Sequence, residues 1–281
     1  SRAHHITIDY TPGPDGLGDA TAKREAVQAI RLNLLERTTN LHQRVASPVS
    51  ILQKKSLLMS DQLPIQAVAF DLDGLMFNTE HVFFLSGDAL LQRRGKSMTP
   101  DILRGMMGRR AMEGFEHLSS HLDKPEDPHE LWLESQDIFQ SLLQDHLKPM
   151  KGLFELLDYL EELGIPKCVA TSSPRAYLDT LLVQFDLIHR FPISLTAEDV
   201  THGKPHPEIY LTAAEKMSVP PQRMLVLEDS ETGTKSGVGS GAYVVSIPHE
   251  YSNYGDFSSA QFIADSLTDA RVLELFSKQH S

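Results

Sequence analysis

The sequence predicts an α/β protein whose core is a doubly wound, Rossmann-like parallel sheet, with a small α-helical cap domain inserted into it. From residue 65 onward, short apolar runs alternate with helix-length segments, as in βαβ units with right-handed crossovers. Residues 78–148 interrupt this alternation with helical patterning and no convincing strand. In addition, polar residues directly follow several of the apolar runs, where a parallel sheet places its ligands.

The elements of the core are predicted in order along the chain. Each strand is a short apolar run, and the first helix of the core opens with Pro174 in its first turn. The predicted strands are 65–70, 165–170, 191–195, 223–228 and 243–247, and the predicted helices are 174–185, 207–217 and a Gly- and Ser-interrupted helix ending near Ser240. We therefore assign 59–78 and 150–281 to the core domain and 79–149 to the cap.

Composition and charge exclude several classes of protein. The chain has 281 residues, 41% hydrophobic and 23% charged, which is enough to build a sizeable core and excludes a wholly disordered chain. The net charge of −12 argues against nucleic-acid binding. No run of about 18 apolar residues is present, so no membrane span is expected. The only cysteine, Cys168, favours a reducing cytoplasm and is expected to be an inert core thiol. We also expect a monomer.

The first 58 residues differ from the rest of the chain. They hold 8 basic and 5 acidic residues in a sequence that is acidic overall, and their helical pattern is weak. No methionine precedes Met59, which stands just before the first strand. We therefore expect residues 1–58 to be an upstream extension, poorly ordered or partly helical, with Met59 as the natural start. A transit peptide is the alternative interpretation.

Two pairs of acidic residues follow predicted strands. Asp71 and Asp73 come after the first strand, and Glu228 and Asp229 end the fourth. Buried carboxylates need compensation, which a divalent cation supplies, and a pair of them can divide nucleophilic attack and proton transfer. Taken singly, each pair also suits a turn or a helix N-cap.

A hydroxyl and a lysine complete the set. Thr171 and Ser172 follow the second strand ahead of a helix, where backbone N–H groups can hold an anion, although a serine here can also be a simple cap. Lys204 stands between glycine and proline in a loop, where a solvated lysine would be the ordinary reading. All these groups fall at one rim of one sheet, and this conjunction favours a functional site over four independent structural explanations.

The chain resembles the haloacid dehalogenase-like hydrolase superfamily from about Ile65 to Phe276. Four motifs carry the resemblance, in order: AVAFDLDGLMFNTE (67–80), VATSSP (169–174), HGKPHPEIY (202–210) and VLEDSETG (226–233). It is similar to the subgroup with a helical cap, which includes β-phosphoglucomutase, phosphoglycolate phosphatase and pseudouridine-5′-phosphatase.

The resemblance implies a role for each matching residue. Asp71 would be the nucleophile that forms an aspartyl-phosphate, and Asp73 the general acid and base. Thr171 and the Ser172 backbone would bind the phosphoryl group, and Lys204 would balance its charge. Mg²⁺ would be held by Asp71, by Asp73 through its carbonyl oxygen and by Asp229. Glu228 would ligate the ion directly or through water. The reaction implied is hydrolysis of a small phosphomonoester: a sugar phosphate, phosphoglycolate or a nucleoside monophosphate.

Three alternatives to phosphomonoester hydrolysis are carbon–halogen cleavage, a phosphosugar mutase and a non-catalytic binding protein. Asp73 favours phosphate chemistry over carbon–halogen cleavage. β-Phosphoglucomutase resembles the chain in its core but carries a histidine where this sequence has Phe83, which favours hydrolysis over a phosphosugar mutase; a local shift could still bring His81 into that role. A binding protein on the same scaffold is disfavoured by the intact acids and lysine.

The cap is implied by the resemblance to be a lid over the substrate. Its Gly-rich segment 105–110 carries Arg109 and Arg110, which we expect to reach a second anionic or polar group of the substrate, a solvated helix terminus being the alternative. His117 and His121 stand four residues apart but have no evident third ligand, so a surface pair is expected.

Overall fold

The computed structural model describes residues 64–106 and 111–277. These residues form two compact units. The first contains 64–72, 151–248 and 254–277, and the second contains 73–150 and 249–253. The chain thus enters the second unit directly after Leu72 and leaves it before Lys151. The short segment His249–Asn253, which no sequence pattern sets apart, groups with the second unit.

The first unit is built on a six-stranded, wholly parallel sheet. Its strands are β1 (Ala67–Phe70), β2 (Lys167–Ala170), β3 (Ile193–Leu195), β4 (Met224–Glu228), β5 (Tyr243–Ser246) and β6 (Phe262–Ile263). The order across the sheet is β3-β2-β1-β4-β5-β6. The predicted α/β class is confirmed, and β6 is a strand that the sequence did not predict.

The strand order places β1 and β4 side by side at the centre of the sheet. Ala69 of β1 lies opposite Cys168 of β2 on one side and Val226 of β4 on the other, and all three are fully buried. Strands that are covered on both faces read as continuous apolar runs, which is how the sequence indicated them. The winding of the sheet reverses between β1 and β4, and such a reversal opens a crevice at the carboxyl ends of the strands.

The second unit is helical. Its helices are α1 (Thr79–Gln92), α2 (Pro100–Met106), α3 (Ala111–Ser120) and α4 (Pro128–His146). They share a hydrophobic cluster that includes Leu91, Phe115 and Leu118. Asp127 is the N-cap of helix α4, and its side chain accepts a hydrogen bond of 2.8 Å from the His129 backbone N–H. The predicted helical insertion is confirmed.

The remaining helices belong to the first unit. They are α5 (Leu153–Glu162), α6 (Arg175–Gln184), α7 (Glu208–Lys216), α8 (Glu231–Gly239) and α9 (Ala270–Ser277). Helix α7 buries Ile209, Tyr210 and Ala213 in a cluster with side chains of the sheet, including Cys168 and Val226. Among the helices that the structure describes, none is long and apolar enough to cross a bilayer.

Candidate active site

Asp71 stands at the carboxyl end of β1, at the centre of the sheet. Its backbone N–H donates to the Leu227 carbonyl of β4 at 3.0 Å, which extends the pairing of the two central strands by one residue. Because the backbone is held in this way, the carboxylate is fixed in the crevice, where the residue is only 7% exposed. A buried carboxylate in such a place requires compensating charge.

Lys204 supplies part of that charge. Its ammonium donates hydrogen bonds to Asp71 Oδ1, to Glu228 Oε1 at 2.6 Å and to the Ala170 carbonyl at the end of β2 at 3.0 Å. Burial alone would lower the pKa of Lys204, but the charges of Asp71 and Glu228 outweigh it and raise the pKa above its usual value. The lysine is therefore a fixed cation, and the ordinary reading of a solvated loop side chain is wrong.

Glu228 organises the lysine from the next strand. The residue is fully buried at the end of β4, and Tyr210 of α7 donates its hydroxyl to Glu228 Oε1 at 2.5 Å. The Tyr210 ring also lies 5.0 Å from Lys204 Nζ, at cation–π distance. Burial and the neighbouring carboxylates raise the pKa of Tyr210 well above its usual value, so this hydroxyl remains a donor. Tyr210 is not evident as a site residue from the sequence, because its position in α7 has the same pattern as the other apolar residues of the buried face.

Asp229 joins the same group of carboxylates. Carboxylate oxygens of Asp71, Glu228 and Asp229 all lie within 4.8 Å of one another, and all three residues are buried. Asp229 does not cap the following helix, since Ser230 is the N-cap of α8 and accepts a hydrogen bond from the Gly233 backbone N–H at 3.1 Å. The N-cap interpretation of Asp229 is thus wrong, and its carboxylate belongs to an oxygen-rich cluster that fits a hard divalent cation.

Gly233 is required beside this cluster. A Cβ built at Gly233 would lie 1.9 Å from Glu228 Cδ and 1.9 Å from Oε1. The Glu228 carboxylate has little freedom to move away, because Lys204 and Tyr210 hold Oε1 and Ser230 Oγ donates to Oε2 at 3.1 Å. The first turn of α8 can therefore approach the end of β4 only with glycine at this position.

The hydroxyl motif lies at the end of β2. Thr171 is buried, its backbone N–H donates to the Leu195 carbonyl of β3 at 3.0 Å, and its Oγ1 accepts from the Ser173 backbone N–H at 3.0 Å. Ser172 is exposed. Neither serine caps α6, because the N-cap residue of that helix is Pro174. The serine-cap interpretation is therefore wrong, and the motif forms a turn at the carboxyl rim of the sheet.

Asp73 follows Asp71 by two positions and is the first residue of the second unit. It begins a tight turn in which Gly74 adopts a φ of 78° and donates its backbone N–H to the Phe77 carbonyl at 2.9 Å. The turn that the Asp-Gly pair indicates is therefore present, and it coexists with the acidic side chain. Of the predicted site residues, Arg109 and Arg110 lie outside the described residues.

Three other side chains discussed from the sequence, Phe83, His81 and Cys168, lie outside the charged cluster. Phe83 packs against the hydrophobic cluster of the second unit. His81 pairs its Nδ1 with the Tyr251 hydroxyl at 2.9 Å within the same unit. Cys168 is fully buried in β2, and burial raises the pKa of its thiol to about 12, as expected of an inert core cysteine. The structure thus brings Asp71, Lys204, Glu228 and Asp229 into direct proximity.

The profile of one protein family, described as haloacid dehalogenase-like hydrolase, matches residues 68–247. The chain belongs to the haloacid dehalogenase-like hydrolases. The match contains the four clustered residues and both residues of the hydroxyl motif. This haloacid dehalogenase-like hydrolase therefore carries its charged cluster inside the segment that defines the family.

Named relatives of this hydrolase include phosphatases. A phosphorylated carbohydrates phosphatase of Thermotoga maritima is 29% identical over 63% of this chain and 82% of its own. A probable pseudouridine-5′-phosphatase of Drosophila melanogaster is 29% identical over 71% of this chain and 89% of its own. A solved structure, a putative β-phosphoglucomutase from Thermotoga maritima, covers 75% of this chain and 99% of its own with a TM-score of 0.65 and 27% identity. The hydrolase is accordingly a phosphoric monoester hydrolase.

Proposed function

We propose that the protein catalyses Mg²⁺-dependent hydrolysis of a small phosphomonoester through an aspartyl-phosphate formed on Asp71. The observation that carries the proposal is the buried cluster of Asp71, Lys204, Glu228 and Asp229 at the reversal of the sheet. A protein that used this scaffold only for binding would have no role for three buried carboxylates around one ammonium. The same cluster suits phosphoryl transfer.

The donor set fits Mg²⁺. Three carboxylates and one ammonium leave these four buried groups with a formal charge of −2, which a divalent cation balances. Asp71, Glu228 and Asp229 each offer a carboxylate oxygen, these three atoms lie within 4.8 Å of one another, and Mg²⁺ prefers oxygen ligands. Asp71 and Asp229 would hold the ion with the Asp73 carbonyl oxygen, and Glu228 would act directly or through water. When bound, Mg²⁺ supplies positive charge that stabilises the transferring phosphoryl group.

In the first step the Asp71 carboxylate attacks phosphorus. A phosphorus–oxygen bond forms to Asp71 as the bond to the substrate oxygen breaks, and Asp73 gives its proton to the departing oxygen. Lys204, hydrogen-bonded to Asp71, balances negative charge that develops on the phosphoryl oxygens. Thr171 and the Ser172 backbone N–H bind those oxygens at the neighbouring strand end.

In the second step water releases the phosphate. Asp73, now a carboxylate, takes a proton from the attacking water, whose oxygen bonds to phosphorus while the bond to Asp71 breaks. The net reaction consumes one water and yields an alcohol and inorganic phosphate, and Asp71 and Asp73 return to their starting states. The same side chain therefore serves as acid and then as base.

Small phosphorylated metabolites are the proposed substrates. Relatives are named for phosphorylated carbohydrates and for pseudouridine 5′-phosphate, and each is 29% identical to the chain over the matched part. A sugar phosphate, phosphoglycolate or a nucleoside monophosphate would each present one phosphoryl group to Asp71. Arg109 and Arg110 are proposed to bind a second polar or anionic group of the substrate.

A phosphosugar mutase is the second candidate, because a putative β-phosphoglucomutase shares the fold over 75% of the chain. Hydrolysis is favoured because Phe83, at the position of the mutase histidine, packs against the hydrophobic cluster of its unit and carries no titratable group. Incubation with β-glucose 1-phosphate separates the two activities, since a mutase yields glucose 6-phosphate and a phosphatase yields glucose and free phosphate.

The test is phosphate release from a panel of small phosphomonoesters, with Mg²⁺ and with a chelator. We expect wild-type turnover to require the metal and to fall to background in Asp71→Asn, because the amide is a poor nucleophile. The matched control is Asp186→Asn, an exposed position with a φ of 53°, which asparagine tolerates well. This variant should retain full activity.

Two results would overturn the proposal. Release that persists at the wild-type rate in Asp71→Asn would show that another group attacks phosphorus. Release unaffected by chelator in the wild type would show that the carboxylate cluster works without a divalent ion. The substrate with the highest kcat/KM would assign the metabolite class.

We also propose a cytoplasmic location. The chain has one cysteine, which is buried in β2, so no internal disulfide can stabilise the fold in an oxidising compartment. Fractionation of the source cells followed by immunodetection would test this assignment.

A further inference from the structure

A second group of ligating side chains lies in the first unit, on the outer side of the loop that carries Lys204. It consists of His202, His206 and Glu208, and one ligand atom from each lies within 4.8 Å of the others. We call it the His-His-Glu cluster. The two imidazoles are 62% and 51% exposed, whereas the Lys204 side chain between them in sequence is 6% exposed. The cluster therefore faces solvent and is distinct from the buried carboxylates.

The two imidazoles converge on a single carboxylate oxygen. His202 Nδ1 lies 2.8 Å from Glu208 Oε2, and His206 Nδ1 lies 3.8 Å from the same atom. The ring centroids of the two histidines are 4.6 Å apart. In a tetrahedral zinc site with metal–ligand distances of about 2.0–2.1 Å, neighbouring ligand atoms are roughly 3.4 Å apart. The distances of 2.8 and 3.8 Å from Oε2 lie on either side of that spacing.

The backbone holds the carboxylate in place. Glu208 is the first residue of α7, and its oxygens accept hydrogen bonds from the backbone N–H groups of Thr201 at 2.7 Å and His202 at 3.0 Å. Pro205 and Pro207 fix two φ angles of the intervening loop. Since both histidines are tied to the same short loop as Glu208, little conformational entropy would be lost when a metal draws the three ligands together.

The donor atoms of the cluster suit a transition metal rather than Mg²⁺. The cluster offers two imidazole nitrogens and one carboxylate, whereas Mg²⁺ prefers oxygen ligands alone. Zinc binds a set of two histidines and one glutamate with an open fourth position.

We propose that His202, His206 and Glu208 form a binding site for Zn²⁺ or a similar divalent transition metal, separate from the carboxylate cluster. In the metal-free loop, His202 Nδ1 and Glu208 Oε2 are joined by a hydrogen bond. The metal takes the place of this hydrogen bond, with the ring proton of His202 carried on Nε2 so that Nδ1 offers its lone pair, and the His206 ring supplies the third ligand. Water completes the coordination, because the site is open to solvent.

The test is a calorimetric titration of the metal-free full-length protein with Zn²⁺, in a buffer with saturating Mg²⁺. The variants are His202→Ala/His206→Ala and Glu208→Gln, of which the second keeps an oxygen that can accept the backbone hydrogen bonds. We expect the wild type to bind one more Zn²⁺ than the double variant, or to bind it at least about tenfold more tightly. Co²⁺ should give visible ligand-field bands in the wild type that both variants lose.

The matched control is His117→Ala/His121→Ala. It removes another histidine pair spaced four residues apart, with ring centroids 4.5 Å apart but no carboxylate that completes a three-ligand group in the described part of the chain. This control should retain the Zn²⁺ affinity and the Co²⁺ bands. Equal Zn²⁺ binding in the wild type and in His202→Ala/His206→Ala would overturn the proposal, as would unchanged binding in Glu208→Gln. Thermal melts confirm that every variant is folded.

Discussion

Gly233 decides how closely α8 can approach the Glu228 carboxylate. The carboxylate is held by Lys204, Tyr210 and Ser230, so it cannot rotate away from an added methyl group without losing one of these partners. Glu228 in turn holds Lys204, so the absence of a Cβ at Gly233 is also a condition for the position of Lys204.

Replacing this glycine should impair catalysis more than folding. In Gly233→Ala the new Cβ would overlap Glu228 Cδ and displace the carboxylate, which in turn shifts Lys204 relative to Asp71. We expect kcat/KM to fall about a hundredfold, the scale of loss that follows a misplacement of about 1 Å at a catalytic group. Steady-state kinetics on the best phosphomonoester and the free energy of unfolding would be measured together.

Gly239→Ala is the control in the same helix. Its Cβ would lie 3.4 Å from Pro207 Cβ, an ordinary contact, and alanine is a better helix former. Activity should be unchanged, and stability should stay the same or rise by up to about 1 kcal/mol. Similar kinetic losses in both variants would show that α8 as a whole, rather than the contact with Glu228, is the sensitive feature.

At this scale the sequence predicted the charged residues and missed their supports. Asp71, Lys204 and Asp229 stand out together, because each has an ordinary explanation alone but all three fall at strand ends or in the loop beyond one, on the same rim of the sheet. Tyr210 and Gly233 do not stand out, because a tyrosine on an apolar helix face and a glycine in a helix have ordinary explanations. Only the side-chain directions in three dimensions show that both residues act on Glu228.

Among the elements, α5 is joined to the start of β2 by an ion network centred on Glu161. Lys167 Nζ donates to Glu161 Oε1 at 2.8 Å, and Arg190 contacts Glu161 at 2.7 Å and Asp158 at 2.6 Å. Burial alone would raise the pKa of Glu161, but hydrogen bonds from Arg190 and Lys167 outweigh it and lower the pKa. The network joins a helix, a strand and the short 3₁₀ segment Ile188–Arg190.

The network predicts how stability depends on pH. A carboxyl whose pKa is lowered by folding stabilises the protein above its unfolded pKa, about 4.3 for glutamate, and this stabilisation is lost as pH falls through the folded value. Glu161→Gln should therefore be less stable than the wild type at neutral pH, with a difference that shrinks below about pH 4. Urea unfolding at several pH values would measure the difference.

Glu215→Gln, at an exposed position of α7, serves for comparison. It should change the free energy of unfolding little at any pH. A deficit in Glu161→Gln that stays constant from neutral to acid pH would show that the glutamate contributes through packing rather than charge.

Element boundaries followed from the sequence to within a residue or two for most strands. Strand β6 did not, since two residues carry no periodicity, and its pairing with β5 depends on the rest of the sheet. The assignment of His249–Asn253 to the second unit was equally inaccessible, because a segment far along the chain gives no sign of which core it joins.

For the molecule as a whole, each of the two units contains a cluster of buried apolar side chains among its described residues. One joins the sheet to α7 and includes Leu195, and the other joins α1 to α4 and includes Leu118. Each of these two leucines is fully buried, so the same substitution can be made in either cluster. The strand order could not be read from the sequence, because each parallel crossover can place its strand on either side of β1.

Leucine-to-alanine substitutions should distinguish the two cores. Leu118→Ala and Leu195→Ala should each cost about 2–5 kcal/mol. In Leu118→Ala, hydrogen exchange should accelerate in α1–α4 while β1, β2 and β4 keep their protection, and Leu195→Ala should show the reverse. Uniform acceleration over all elements in both variants would contradict this prediction and show that the two units unfold as one.

The burial of Cys168 provides a built-in reporter of the sheet. It is the only thiol of the chain, it lies in β2 opposite Ala69 and Ile193, and it has no exposed surface. A thiol reagent can reach it only when the strands around it separate. The rate of thiol labelling therefore measures how often the central strands open. A brief pulse of reagent during unfolding would give the fraction of molecules whose sheet is intact, without any engineered probe.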